Sequence, residues 1–269
     1  MLASAFACLR PGRARASQSG SQRADASRAV RPAAGRPRAP TIGGVQDDPT
    51  HFRDLTLGAF VERLASAAPV PGGGSASAIA ASLGAGLVAM VASLSEGRPK
   101  YAEHTAAHAR ARAAGIELAD RLLRLADEDA AAFATFAGAL KLPRETEDQQ
   151  AARGAAMRSA ARVAAEVPLR CLEACAEVVT EAERLAGRSN VNASSDLNVA
   201  ALLAEAGARG AAANVRVNLP AVGDPAWGDA TATRVDDLLV RIANLAATTR
   251  SAVAAGEARP PLSPLPPAA

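Results

Sequence analysis

The sequence predicts an all-α fold, and three observations carry that expectation. Alanine dominates, and aromatic residues make up only 3% of the chain. Apolar residues almost never alternate with polar ones as they would along half-buried strands. Instead they recur at helical spacing between Gly, Pro and polar punctuation, so the helices are expected to pack closely on small side chains. At 269 residues the chain has room for one large domain or two small ones.

The net charge of +3 hides a division. Residues 1–46 hold eight Arg and a single acid, Asp25, a local charge of +7, and the remainder carries −4. The body is therefore mildly acidic and has no electrostatic footprint for nucleic acid. Residues 1–46 show no apolar periodicity and cannot bury enough surface to fold. An Arg- and Ser-rich, acid-poor stretch of this kind resembles an organellar transit peptide. A disordered tail, or a start codon placed upstream in a GC-rich gene, accounts for it equally. The expected compartment is the cytoplasm, or a mitochondrial or plastid matrix if the stretch is a transit peptide. Cys8, Cys171 and Cys175 make no disulfide framework. The last two, one helical turn apart, read as packed thiols in a reducing compartment.

Taken in order, residues 54–67 form an amphipathic helix with Leu57, Phe60, Val61 and Leu64 on one face. Residues 69–95, PVPGGGSASAIAASLGAGLVAMVASLS, hold no charge and few large side chains. Three glycines and Ser75 read as a tight loop with a helix N-cap, whose free first-turn amides would seat an anion or an electron-rich heteroatom. The run is long enough for a membrane span. Its Ala, Ser and Gly content and the lack of a Trp/Tyr belt favour the central helix of a bundle instead, and no membrane association is expected. No Gly-Lys-Ser/Thr follows the glycines, so it is not a phosphate-binding Walker loop.

Lys100 and Tyr101 open a helical segment running to about residue 139. Leu118, Leu122, Leu125, Phe133 and Phe136 form its apolar stripe, with Asp129 in the middle and Asp127 on roughly the opposite face. A carboxylate on a core face needs a partner or a task. Asp129 therefore either pairs with an Arg across the bundle or transfers protons with a raised pKa. His104 and His108, one turn apart, lack a third ligand at suggestive spacing and default to an exposed helix face. No metal is expected, and no Ser/His/Asp nucleophile is legible.

KLPRETEDQQ is a polar turn into a helix over 145–166, after which Pro168 breaks or kinks the chain before another helix to about residue 187. SNVNASSD is a loop rich in cap formers. A helix then runs from residue 194 or 195 to Leu219, stopped by Pro220. On it Asp196, Ala200, Leu203, Gly207, Gly210, Asn214 and Asn218 share a face that looks like a lined contact surface. Asp196 and Asn214 lie about 27 Å apart along the axis, too far to touch one small ligand from the same helix. Asp196 also favours the helix N-terminus by its charge. A last amphipathic helix spans about 224–255 before a Pro-rich tail.

The stretches LGAFVERLASAAPVPGGGSASAIAASLGAGLVAMV, KY, LADEDAAAF, KLP, VPL, SNVNASSDLNVAALL and AANVRVNLP arrive in the order and spacing of one family. They resemble the cyclodeaminase domain of formiminotransferase-cyclodeaminase and the related stand-alone methenyltetrahydrofolate cyclohydrolases. The resemblance covers roughly residues 54–255, flanked by tails at 1–53 and 256–269 that are expected to be disordered. It implies an up-and-down, bundle-like helical domain that acts as a homodimer on reduced folates, without a metal or organic cofactor. The family's acid/base carboxylate falls on Asp129, and Asp127 is the other acid of that motif. Its Gly-rich loop falls on Gly72, Gly73, Gly74 and Ser75. Its GN-x-x-x-x-SD segment falls on Asn190, Ser195 and Asp196, with Ser189 where Gly is usual, and its NV-x-x-NL on Asn214 and Asn218. Lys100 is a candidate for the glutamyl carboxylates. If the site forms across a dimer interface, one helix serves two sites and the 27 Å objection weakens. The rival reading is a non-catalytic helical folate-binding or dimeric scaffold protein.

Overall fold

The computed structural model describes residues 51–262. The readings of residues 1–46, and of the end of the Pro-rich tail, lie outside the described residues. Among the described residues there are α-helices and short 3-10 turns and no strand, so the all-α expectation holds. The helices are α1 (Leu57–Leu64), α2 (Gly73–Ser95), α3 (Thr105–Ala139), α4 (Glu147–Leu185), α5 (Ser194–Val222) and α6 (Pro225–Ala255).

Helices α2 to α5 form an up-and-down four-helix ring in which each packs on the next and α5 closes back on α2. Helix α6 lies against α4 and α5. Small residues make the close approaches, as the composition implied. A Cβ on Gly84 would stand 2.8 Å from the Ala200 carbonyl, and one on Gly115 would stand 2.8 Å from that of Ala85. Helix α2 is long and apolar enough to cross a membrane. It packs against α3, α4 and α5, with 50% of its most apolar stretch buried, as a core helix does.

Several element boundaries differ from expectation, each for a physical reason. The first helix is only α1, capped by Thr56, and of its apolar face Phe60 alone is buried, edge-on to Phe52. Gly72, not Ser75, is the N-cap of α2. Ser75 stands inside the first turn and is fully buried. Residues 99–104 form a 3-10 turn, and α3 starts only at Thr105. His104 and His108 are buried rather than exposed, with His108 Nε2 hydrogen-bonded to the Arg188 carbonyl at 2.8 Å. Burial holds the His104 pKa below the usual histidine value.

Pro168 does not break the chain, because α4 continues through it. A proline cannot donate to the carbonyl four residues back, here Ala164. Asn218 supplies that bond from α5, with Nδ2 donating to Ala164 O at 2.6 Å. Pro220 likewise sits inside α5, which ends at Gly223 with φ 72°. The start of the tail is tied down. Arg259 N–H donates to the Gly187 carbonyl at 2.8 Å and its guanidinium meets Glu183, while Arg188 Nε donates to the Pro260 carbonyl.

Candidate active site

The site begins at the first turn of α2. Its N-cap, Gly72, offers no side chain to the first-turn amides. The anion that this turn was expected to seat comes from within the chain. Asp129, projecting from α3, lies against Gly74 so closely that a Cβ there would meet Oδ2 at 2.5 Å. Position 74 therefore tolerates no side chain while the carboxylate is in place. Ser75 Oγ stands 3.2 Å from Asp129 Oδ2 and 3.0 Å from the Ala126 carbonyl.

Asp129 is buried, and no ion pair reaches it among the described residues. No Arg among the described residues fills the paired alternative. Burial raises its pKa above the usual aspartate value, opposed by the Ser75 hydroxyl and backbone N–H. A buried acid with a raised pKa, and no cationic partner among the described residues, is suited to giving and taking protons.

Beside the carboxylate is a cleft of about 20 Å³ lined by Asp129, Phe133, Phe136, Ala164, Asn214 and Asn218. Asn214 reaches Gly73, where a Cβ would lie 4.0 Å from its Nδ2, and that Nδ2 donates to the Gly210 carbonyl. Asn218 is buried, and its Oδ1 meets no protein donor among the described residues. The structure thus gathers Gly72, Gly73, Gly74, Ser75, Asp129, Asn214 and Asn218. Ser75 touches the carboxylate and is buried, so it is not a direct folate contact. Phe133 and Phe136 were read as core stripe only, and Ala164 was missed. The signal for Ala164 was available, since Pro168 four residues on orphans its carbonyl.

The remaining candidates lie elsewhere. Asp127 is turned away from the cleft, accepting from Phe52 N–H at 2.8 Å and meeting His51 Nδ1 at 3.1 Å, and so anchors the segment before α1. Asn190 sits at the opposite end of α2, its N–H donating to Ser95 Oγ at 2.8 Å. Ser195 and Asp196 are in the first turn of α5 at that end, where Asp196 complements the helix dipole. Lys100 lies over the Tyr101 ring, and the Tyr101 hydroxyl accepts from Val191 N–H. Lys100, Tyr101, Ser189 and Ser194 help line a cavity of about 100 Å³ there. At 1.5 Å per residue the two ends of α2 are about 33 Å apart. The α5 face that joins them is mostly helix contact, with Ala200 on Gly84 and Gly207 on Ser77.

A fold of this kind with a buried acid at a glycine-rich helix start defines a class. The chain belongs to the formiminotransferase-cyclodeaminase family, whose profile matches residues 56–237. Among its relatives is the methenyltetrahydrofolate cyclohydrolase of Methylorubrum extorquens, 40% identical over 184 residues, which span 68% of this chain and 88% of that protein. The formimidoyltransferase-cyclodeaminase of Rattus norvegicus is 36% identical over 187 residues, covering 69% of this chain but 34% of that longer protein. The crystal structure of formiminotetrahydrofolate cyclodeaminase from Thermotoga maritima shares the fold, with TM-score 0.69 and 24% identity, over 76% of this chain and 98% of that one.

Proposed function

We propose that the chain is an enzyme of folate one-carbon metabolism that hydrolyses 5,10-methenyltetrahydrofolate to 10-formyltetrahydrofolate, cyclodeaminates 5-formimidoyltetrahydrofolate to the methenyl form, or does both. The observation that carries this reading is Asp129, buried against the glycine-rich start of α2 with no cationic partner among the described residues. In hydrolysis, Asp129 takes a proton from the water that adds to the methenyl carbon. As the C–N5 bond breaks, Asp129 gives that proton to N5, and the adduct's hydroxyl proton is released to solvent to leave the N10 formyl carbonyl. In cyclodeamination, N10 attacks the formimidoyl carbon and Asp129 returns a proton to the nitrogen that leaves as ammonia. Asn214 and Asn218 orient the folate. The chemistry needs no metal or organic cofactor.

We further propose that two copies associate along α2. Leu83, Met90 and Leu94 form an exposed apolar stripe on that uncharged helix. Ile116 and Val199, on the neighbouring helices α3 and α5, are exposed as well. An exposed apolar face of this extent suits a subunit interface. A two-fold axis across it sets the Gly73 end of one α2 beside the Ser95 end of the other. The partner's Lys100 and Asn190 then complete the folate site around Asp129. The proposed compartment is the cytoplasm, and import of a reporter carrying residues 1–46 into an organelle would overturn that.

The test is the absorbance of 5,10-methenyltetrahydrofolate with and without the protein. Accelerated decay is expected, falling by about 10² or more in Asp129→Asn with helicity retained. Formation of methenyl and ammonia from 5-formimidoyltetrahydrofolate reads the second activity. Silence on both substrates with folate still bound would establish the non-catalytic scaffold instead.

A further inference from the structure

We infer that Ser75 is a positioning residue that gives Asp129 a hydrogen-bond partner in both of its protonation states, by turning one hydroxyl between two acceptors. The inference deepens the proposed acid/base role of Asp129 and rests on it for its catalytic meaning. The geometry stands independently.

Ser75 Oγ lies 3.0 Å from Ala126 O and 3.2 Å from Asp129 Oδ2, and the residue is fully buried. A hydroxyl has one proton and two lone pairs, so it donates to only one of these oxygens at a time. When Asp129 is a carboxylate, the hydroxyl donates to Oδ2. Once Asp129 has taken a proton from substrate or water, the hydroxyl turns to the Ala126 carbonyl. Its lone pairs are then free to accept from a proton on Oδ2. Neither state leaves a buried polar atom without a partner, which is what a buried acid needs if it is to cycle.

Nothing else described around Asp129 does this work. Helix α2 brings no charged residue, only Gly74 and Ser75. On α3, Asp127 is engaged by His51 and Phe52, and Glu128 by Arg170. Helix α4 presents Ala164, with Arg162 and Glu166 paired to each other. Helix α5 presents the neutral amides of Asn214 and Asn218, and its Arg216 is held by Asp236. The Ser75 backbone N–H also favours the carboxylate. It survives in any side-chain variant, so a substitution isolates the hydroxyl.

The experiment is a side-chain carboxyl 13C NMR titration of Asp129 in wild type, Ser75→Cys and Ser75→Ala, with the resonance assigned by its loss in Asp129→Asn. Thermal melts check that each variant folds. The bond lost to the carboxylate is charge-assisted and stronger than the one lost to the neutral acid, so the Asp129 midpoint is expected to rise by about one pH unit in Ser75→Ala. A smaller rise is expected in Ser75→Cys, whose thiol is a weak donor of nearly the same size. If Ser75→Ala fails to fold, Ser75→Cys carries the test alone. An unmoved midpoint in a folded variant overturns the inference. The titration needs no substrate, so this failure is distinct from inactivity on both folates. In an active enzyme, the pH limb that reports Asp129 should move with the NMR midpoint while KM for folate stays within about twofold. A lowered kcat with an unmoved limb would mean a purely structural role.

Discussion

Asn218 supplies the hydrogen bond that Pro168 cannot. The two residues are joined through the Ala164 carbonyl, which receives Asn218 Nδ2 at 2.6 Å in place of a helical N–H. The bond ties α5 to α4 on the wall of the cleft that holds Asp129.

This coupling is measurable as a double-mutant cycle. Asn218→Leu alone leaves the part-buried Ala164 carbonyl without its protein donor, and should cost about 1–2 kcal/mol in denaturant unfolding. In a Pro168→Ala background the helix regains its own donor, and the same substitution should cost roughly half as much or less. Equal costs in both backgrounds would show that the two positions are independent.

Asp129 sets a stability trend with pH. Burial raises its folded-state pKa above the unfolded value. The folded protein therefore binds this proton more tightly, and the stabilisation is fully present below the unfolded pKa. It is lost as pH rises through the folded pKa. Asp129→Asn should thus be more stable than wild type near about pH 7.5 and close to it near about pH 4. Chemical denaturation at both values checks the sign, and an equal difference at the two would refute it.

Glycine positions on α2 should separate sharply. In Gly74→Ala the new methyl collides with the Asp129 carboxylate, so turnover should fall by about 10² or more. Gly86→Ala, with nothing within 4 Å of the added Cβ in its own protomer, should gain about 0.5–1 kcal/mol from helix propensity in the Leu83→Glu, Met90→Glu background, where no partner copy lies against that face. Steady-state kinetics and melts on the pair test this together.

The α2 stripe predicts oligomeric state. Leu83→Glu with Met90→Glu should halve the mass seen by light scattering, keep far-UV helicity and abolish turnover. A wild type that already runs as a monomer would sink the dimer.

The main helices and the core-facing position of Asp129 were legible because period and burial are local signals. The stripe from Leu118 to Phe136 placed an acid on a core face, and the fold confirmed the burial. Pro168 and Pro220 misled, since whether a proline ends a helix depends on what the rest of the fold offers the orphaned carbonyl. Ser75 fits a helix cap in sequence, and only the position of Asp129 shows its other use. The burial of His104 and His108 depends on the 187–190 loop returning to cover them, which no local pattern encodes.

The length of α2 has a genetic consequence. In a dimer joined along that helix, each folate site draws on the Gly74 end of one chain and the Lys100 end of the other. A chain damaged at one end and a chain damaged at the other would each be dead as homodimers. Co-expressed, they would assemble mixed dimers in which one site inherits both lesions and the other inherits none. Two recessive null alleles of this gene would then complement each other.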